Sequence, residues 1–391
     1  MKRVLYVVLV LVLAARVGAA QTVRTGVLVL GNGNNAIGAA IQSAVSGAKT
    51  VVVLPGEGFE LSPLGKGPHS GIAAEFLKRL KADQFDNATA NKVLKTWTDS
   101  LKNLTVIRNG NWLKLKRSGS GWSLELKDKR TIKAQVMVNA DKSGKTDAAL
   151  LLSKPAELWQ AFGYGDNSYR TSIAASQHPK DGQAEFLSLD RLLNPLQENL
   201  IALDPAKESF AAGQAGGATA SYASFYKLKT SEAKLKSIQG ELINYKLDLV
   251  PFTDVSQADS NWKAIQFIGL TGVLKASLSP GNVLFLPEQQ VTTAEVKEVI
   301  KAYYYKAQIW FDDHADPQMT IGSTLSLVCV VGNKALKSTE EELKKNWKTS
   351  YHFKTEFDPQ RVITRREFAV LAHEYLKPFN VNIDKTGRIQ R

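Results

Sequence analysis

The sequence predicts an α/β protein in which a parallel β-sheet carries a small antiparallel meander and is followed by a mostly helical C-terminal repeat region. Three observations predict this class: a buried strand–helix–strand pattern at residues 26–54, two alternating strands within residues 112–127, and a change to helical repeats after residue 250. With 391 residues, of which 44% are hydrophobic, the chain is long enough for two or three packed units.

The first unit opens with GVLVL at residues 26–30, a continuous apolar run that is typical of a strand buried on both faces. A helical pattern follows, and TVVVL at residues 50–54 supplies a second strand. Between them, Gly31, Gly33 and Ala36 match G-x-G-x-x-G/A in the strand–turn–helix context that the pattern requires. This arrangement predicts a Rossmann-like sheet of the kind that binds FAD or NAD(P), with the phosphates at the helix N-terminus.

The pattern lacks the acidic residue that usually ends the second strand and holds the adenosine ribose, because Leu54 stands there. A charged hydrogen bond contributes about 1.5–3 kcal/mol, so its loss weakens dinucleotide binding about ten- to a hundredfold. Glu57 is near, but Pro55 and Gly56 turn the chain before it. The sequence therefore predicts a weakened dinucleotide site.

The remaining elements of this unit follow from periodicity. Helical patterns occupy residues 71–81 and 87–103, and a strand is expected at residues 104–108. The runs WLKLK and WSLELK alternate on either side of the turn sequence SGSG, which predicts a half-buried antiparallel meander. Residues 135–138 are expected to return to the parallel sheet.

Four segments in order carry a resemblance to the secreted bacterial FAD-dependent oxidoreductases with the two-dinucleotide-binding-type flavin fold. They are the fingerprint at residues 26–54, HSGIAAEFLKRL at 69–80, TIKAQVMVNADKSGK at 131–145, and AAGQAGGATASYAS at 211–224 after LSLDRLLNPLQENLIAL. The resemblance implies a flavin domain at residues 21–245 and FAD as the cofactor. The residues that it implies for cofactor binding are Gly31, Gly33, Asn34, Ala36, Asp141, Gly213, Gly216 and Gly217.

The chain also departs from that family. Residues 139–141 only approximate its Asp-Ala-Thr turn, and residues 203–205 replace an Ala-Gly-Arg-like stretch. No acid or nucleophile accompanies His69 or His178 in the sequence, so neither indicates catalysis. We expect an FAD-dependent oxidoreductase homologue with a degraded flavin site and weak or absent catalysis. The alternative is a non-catalytic envelope or glycan-binding protein that uses the Rossmann-like core as a scaffold.

The C-terminal residues 250–379 resemble a pair of S-layer-homology repeats. PFTDVSQADSNWKAIQFIGLTGVLKA with LFLPEQQVTTAEVKEVIKAYY forms the first copy, and the clear half of the second is FDPQRVITRREFAVLAHEYL. Thr292 and Thr364 are expected to cap helices, with Glu295 and Glu367 completing capping boxes. By the resemblance, Arg365 would bind an anionic cell-wall polymer, whereas Thr293 takes that position in the first copy.

Residues 1–20 have the features of a secretory signal peptide: two basic residues, Lys2 and Arg3, then an apolar stretch at residues 4–15 and small residues at 18–20. The apolar stretch is shorter than the roughly 20 residues that a spanning helix needs. We therefore expect a periplasmic or extracellular protein with no transmembrane segment in the mature chain.

The formal net charge is +13, but the lysines are spread along the chain. A solvated basic surface is therefore expected rather than a nucleic-acid groove, and anionic envelope polymers are the expected weak partner. The single cysteine, Cys329, lies in an apolar run and is expected to be a buried thiol. No His/Cys cluster with metal-ligand spacing occurs in the sequence.

Overall fold

The computed structural model describes residues 21–64, 68–82, 85–152, 157–178, 181–194 and 196–390. The predicted signal peptide at residues 1–20 lies outside this set. A seven-stranded sheet forms the centre of the first unit, in the order β3-β2-β1-β6-β5-β4, with β10 also paired to β6. Its strands are β1 (Thr22–Leu30), β2 (Thr50–Val53), β3 (Leu104–Ile107), β4 (Trp112–Ser118), β5 (Gly121–Leu126), β6 (Thr131–Asn139) and β10 (Leu200–Ala202).

The middle of the sheet is parallel and buried. Residues 27–30 of β1 lie between residues 50–53 of β2 and residues 136–139 of β6, and they are at most 2% exposed. The antiparallel β4 and β5 extend the first half of the free edge of β6, while β10 pairs in parallel with its second half. The predicted α/β class, with a Rossmann-like sheet and an antiparallel meander, is confirmed.

Helices cover the sheet. Those of the first unit are α1 (Asn34–Val45), α2 (Gly71–Leu80), α3 (Asn87–Asp99), α4 (Lys145–Leu150), α5 (Leu189–Leu192), α6 (Phe210–Tyr226) and α7 (Leu235–Asn244). A second, three-stranded antiparallel sheet contains β7 (Trp159–Ala161), β9 (Ala184–Ser188) and β8 (Ser172–Gln177) in that order. In the part of the chain that the structure describes, no helix combines the length and apolarity needed to span a membrane.

The C-terminal region is mostly helical. Its helices are α8 (Trp262–Thr271), α9 (Thr293–Tyr303), α10 (Lys306–Asp313), α11 (Ile321–Gly332), α12 (Leu336–Thr349) and α13 (Arg365–Leu371), and a short hairpin joins β11 (Ser277–Ser279) to β12 (Asn282–Leu284). Cys329 is a buried free thiol on α11, as expected.

Three helix-start segments close a ring of backbone hydrogen bonds in this region. The amide of Val291 donates to the carbonyl of Ile363, Ile363 donates to Met319, and Met319 donates back to Val291, at 2.9–3.0 Å. All three side chains are at most 1% exposed. The residue after each of them, Thr292, Thr320 or Thr364, caps the helix that follows. The ring therefore has three members, whereas the sequence analysis paired only two of them.

Arg365 is a buried part of this assembly and not a surface contact. Its residue is 3% exposed, and its guanidinium donates to the carbonyl oxygens of Phe285 and Lys275 at 2.6 and 2.7 Å. It also pairs with the carboxylate of Glu295. The prediction that Arg365 binds a cell-wall polymer is therefore wrong, because its donors face the interior.

The pairing with Arg365 also changes one predicted cap. Thr364 and Glu367 form the full capping box that the sequence predicts. The hydroxyl of Thr292 accepts from the amide of Glu295, as expected, but the Glu295 carboxylate binds Arg365 instead of completing the box.

Asp248 lies where the first unit joins the helical region. Its backbone amide donates to the Ser70 hydroxyl at 3.1 Å. Its carboxylate accepts from the indole of Trp262 at 2.9 Å and from the side-chain amide of Gln266 at 3.3 Å. Burial raises the pKa of Asp248 to about 7, although hydrogen bonds from Trp262, Gln257 and Ser70 oppose the shift.

This raised pKa predicts a pH-dependent stability. The folded chain holds a proton on Asp248 that the unfolded chain releases near its ordinary pKa of 3.8, so the contribution is present below about pH 4 and is lost as the pH rises through about 7. Replacing Asp248 by Asn should raise the free energy of unfolding at pH 8 by about 2–4 kcal/mol relative to wild type, with little change at pH 4. Urea unfolding across pH 4–8 measures this difference.

The exposed Asp313 provides the control, because Asp313→Asn should leave the pH profile of wild type unchanged. A parallel pH profile for Asp248→Asn and wild type would contradict the prediction.

Candidate functional site

The fingerprint turn lies at the carboxyl ends of β1, β6 and β10, where open α/β sheets bind ligands. Gly31 has φ +130°, and a Cβ there would lie 2.2 Å from the carbonyl oxygen of Ala140, so only glycine fits between β1 and the chain after β6. Ala36 is fully buried at the start of α1. The local backbone thus has the form that the fingerprint predicts.

The space beside Gly33 is filled by a side chain of the protein itself. A Cβ on Gly33 would lie 2.2 Å from Oε2 of Glu208, and this oxygen accepts a hydrogen bond from the amide of Asn35 at 3.1 Å. Asn35 belongs to the first turn of α1, whose amides have no acceptor within the helix. The Glu208 carboxylate therefore occupies the position at which the fingerprint would present amides to a phosphate.

Lys142 approaches the same carboxylate. Its Nζ lies 3.8 Å from Oε2 of Glu208 and donates to the carbonyl oxygen of Glu60 at 3.2 Å. The Glu208 side chain is only 7% exposed, and its Oε1 has no hydrogen-bond partner. Burial raises the pKa of Glu208, and the Asn35 amide and Lys142 only partly oppose this.

The two asparagines of the fingerprint hold neighbouring loops against α1. The side chain of Asn34 makes two hydrogen bonds to the backbone of Ser62, at 3.1 and 3.2 Å. Asn35 donates through Nδ2 to the carbonyl of Asp204 at 3.0 Å, and its Oδ1 accepts from the amide of Ser209 at 3.1 Å. Asn34, predicted to bind the cofactor, thus has a structural partner, and Asn35 fixes the loop that carries Glu208.

Asp141 organises its own turn. Its carboxylate accepts from the amide and hydroxyl of both Ser143 and Thr146, at 2.7–2.9 Å. Burial alone would raise the pKa of Asp141, but these hydrogen bonds outweigh it and hold the pKa below its ordinary value. The carboxylate is therefore engaged in shaping the start of α4, which argues against its predicted role in holding a cofactor.

The three glycines near residue 213 that are predicted to bind the cofactor lie within a helix. Helix α6 begins at Phe210, so Gly213, Gly216 and Gly217 are inside it and do not open it. A Cβ on Gly213 would lie 2.2 Å from the carbonyl oxygen of Asn35, and one on Gly217 would lie 2.5 Å from that of Ala39. These two glycines allow α6 to pack closely on α1, whereas a Cβ on Gly216 would lie at ordinary contact distance from the side chains of Ile201 and Leu203.

Neither Leu54 nor Glu57 supplies the acid that would hold the ribose. Leu54 is fully buried in the core. Glu57 is exposed, and its carboxylate accepts a hydrogen bond from the side chain of Asn109. Glu57 therefore does not compensate for the weakened dinucleotide binding that the sequence predicts from Leu54.

A cavity of about 330 Å³ lies between the N-termini of α1 and α6 and the second sheet. Lys207 and Glu185 form an ion pair of 2.6 Å in its wall, and the Lys207 ammonium lies 5.5 Å from the ring centre of Trp159. Burial raises the pKa of Glu185, with Lys207 opposing the shift. The volume is at the lower end for small-molecule sites.

Of His69 and His178, only one lies at the cavity. His69 contributes to the lining of the cavity. His178 is half-buried, and its Nδ1 lies 2.9 Å from the carboxylate of Asp181, an acid partner that was not predicted from the sequence. The structure brings only His69 to the site.

Four residues of the site were not predicted from the sequence: Glu208, Lys142, Glu185 and Lys207. Glu208 and Asn35 are 173 residues apart, so no local pattern joins them. The only signal was the carboxylate that precedes the helix cap Ser209, three residues after the segment 203–205 that departs from the flavin family.

These residues do not fit a bound FAD in the conformation described. A diphosphate needs the space and the amides beside Gly33, and both are taken by the Glu208 carboxylate. Two negative groups cannot share this buried position without a large electrostatic cost. FAD binding would therefore require Glu208 to leave.

No known protein family profile matches the sequence, and no curated protein does so. Among solved structures, a flavoprotein/dehydrogenase from Cytophaga hutchinsonii is 13% identical with a TM-score of 0.33, over 62% of this chain and 88% of that one. T. acidophilum thioredoxin reductase is 14% identical with a TM-score of 0.22, over 30% of this chain and 34% of that one. The flavin-dependent monooxygenase PieE, solved with FAD and substrate, is 11% identical with a TM-score of 0.24, over 30% of each chain.

This chain spans about a third of the length of the thioredoxin reductase. Likenesses this remote and partial assign no activity.

Removing the Asn35 side chain tests whether it holds the Glu208 loop. Asn35→Ala removes two hydrogen bonds of a fully buried residue and leaves the Ser209 amide without its acceptor, so the free energy of unfolding should fall by about 2–3 kcal/mol. Urea unfolding measures the change. Asn382, which is exposed, is the control, and Asn382→Ala should stay within about 0.5 kcal/mol of wild type. Equal effects of the two substitutions would show that Asn35 does not fix the loop.

Proposed function

We propose that this chain is an FAD-dependent oxidoreductase-like protein that no longer binds FAD tightly and has weak or absent flavin catalysis, that is, a pseudoenzyme. One observation carries the proposal: the Glu208 carboxylate takes the amide of Asn35 at the position of the fingerprint phosphate. The buried Leu54 supports it, because the residue type that would hold the ribose is also absent there.

The acidic groups around the cavity support a binding role over a catalytic one. Glu185 is paired with Lys207, and Glu208 is held by Asn35 with Lys142 nearby. A general acid or base must reach a reacting proton, whereas Glu185 is held in its ion pair and Oε2 of Glu208 is held by the Asn35 amide. The cavity between α1 and α6 remains as a site for a small molecule that needs no bound flavin.

The alternative of a non-catalytic envelope or glycan-binding protein shares the same scaffold. Its named polymer contact, Arg365, is buried, and burial lowers the pKa of Arg365 to about 10 while it stays bound to backbone carbonyls. Attachment would thus rest only on the dispersed positive charge of the surface. The observations favour the first proposal.

The proposal predicts that purified wild-type protein is colourless and stays so. After incubation with excess FAD and removal of the unbound cofactor, the visible flavin bands should be far below one flavin per chain, because Glu208 holds the diphosphate position. The visible absorption spectrum of the desalted protein measures this. Stoichiometric flavin bands from wild-type protein would contradict the proposed function.

We also propose that the protein is exported, on the basis of the basic start and apolar stretch within residues 1–20. Expression of the full chain in a bacterial host should give a mature protein that begins near Gln21 in the periplasm or medium. Mass spectrometry of the intact protein from each cell fraction measures this. A cytosolic product that retains Lys2 and Arg3 would contradict export.

A further inference from the structure

We propose that Glu208 is an internal ligand of α1, and that its side chain blocks an anion site that is otherwise complete. This inference rests on the proposed function and extends it, because it assigns the loss of binding to one side chain. The ligand class expected behind Glu208 is a small phosphorylated anion, with inorganic pyrophosphate as the simplest member.

The donors of the site are present. Helix α1 has 12 residues, and its first intrahelical bond, from the amide of Ile37 to the carbonyl of Gly33, is formed at 3.0 Å. The Asn35 amide points at Oε2 of Glu208, which shows that this helix N-terminus accepts an anion. Gly33 has no side chain to obstruct that approach.

The cation of the site is held independently of Glu208. Lys142 donates to the carbonyl of Glu60, so its ammonium is positioned by a contact that survives the loss of Glu208. Its distance of 3.8 Å from Oε2 is longer than a hydrogen bond. An anion with more oxygens than a carboxylate could bind both Lys142 and the amide of Asn35 directly.

Glu208 itself fits the site incompletely. Its Oε1 is buried without a partner, although an ionised carboxylate can accept several hydrogen bonds. The side chain is 93% buried by the surrounding loops, so the unpartnered oxygen cannot be satisfied by leaning into solvent. The hydrogen bond to Oε2 stabilises the Glu208 side chain in this position, whereas the buried Oε1, which has no partner, destabilises it.

The buried Leu54 restricts the ligand further. A dinucleotide needs a ribose contact as well as the phosphate contact, and a buried leucine offers none. Removal of Glu208 should therefore restore binding of the phosphate portion much more than binding of FAD.

The test is calorimetric titration of inorganic pyrophosphate into the full mature chain. Glu208→Ala opens the space and removes the charge, and we expect it to bind pyrophosphate at least about tenfold more tightly than wild type, because a like charge no longer opposes the ligand. Glu208→Gln keeps the volume and removes only the charge, so it should also bind more tightly than wild type, but less than the Ala variant. If the Ala variant does not fold, the Glu208→Gln variant alone tests the proposal.

Two further substitutions locate the binding. In the Glu208→Ala background, Gly33→Ala places a methyl group where the anion would lie, and Lys142→Ala removes the cation; each should abolish most of the gain. Glu125→Ala is the control: it removes the same charge from an exposed position on β5, near the opposite end of β6, and should give no gain.

The inference is overturned if neither Glu208 variant binds pyrophosphate more tightly than wild type. It is also overturned if Gly33→Ala leaves the gain intact, since the anion would then lie elsewhere on the basic surface. The proposed function fails on a separate observation, stoichiometric FAD on wild-type protein, so the two failures can be told apart.

Discussion

The positive end of α1 is the constraint on which the arrangement of the site depends. The first-turn amides of a helix lack acceptors and favour a negative group. The chain supplies that group itself, through the 3.1 Å hydrogen bond from the Asn35 amide to Glu208. Because Glu208 lies between β10 and α6, this contact and the Asn35 side chain fix the path of the intervening loop. That path, in turn, sets one wall of the neighbouring cavity.

The helical region depends on buried polar groups that form hydrogen bonds or ion pairs with one another. The ring formed by Val291, Met319 and Ile363 uses backbone groups that would otherwise be buried without partners. Arg365 and Glu295 add a buried ion pair whose remaining donors reach backbone carbonyls. Removing one member of such a set would leave an uncompensated buried charge, which is why a residue that resembles a surface-binding arginine acts here as part of the core.

The sequence was sufficient for the features that arise locally. Continuous apolar runs identified β1 and β2, alternation identified β4 and β5, and the glycine spacing gave the correct turn at Gly31. It failed where the decisive contact is distant, as for Glu208 and Asn35. It also failed where one pattern serves two purposes: the small residues near Gly213 suit close packing on α1 as well as approach to a cofactor. The third ring segment was missed because Ser323 replaces the glutamate of the other two caps.

The fingerprint stays necessary even when no dinucleotide is bound. Gly31 is required by the approach of the Ala140 backbone, and a Cβ at Gly33 would overlap the side chains of Glu208 and Lys142. Ala36 is buried against the packed core. The same three small residues therefore satisfy either an external diphosphate or an internal carboxylate, and their presence alone cannot distinguish the two. The distinguishing feature is the residue before the α6 cap: a carboxylate there can reach the first turn of α1 and compete for the same amide.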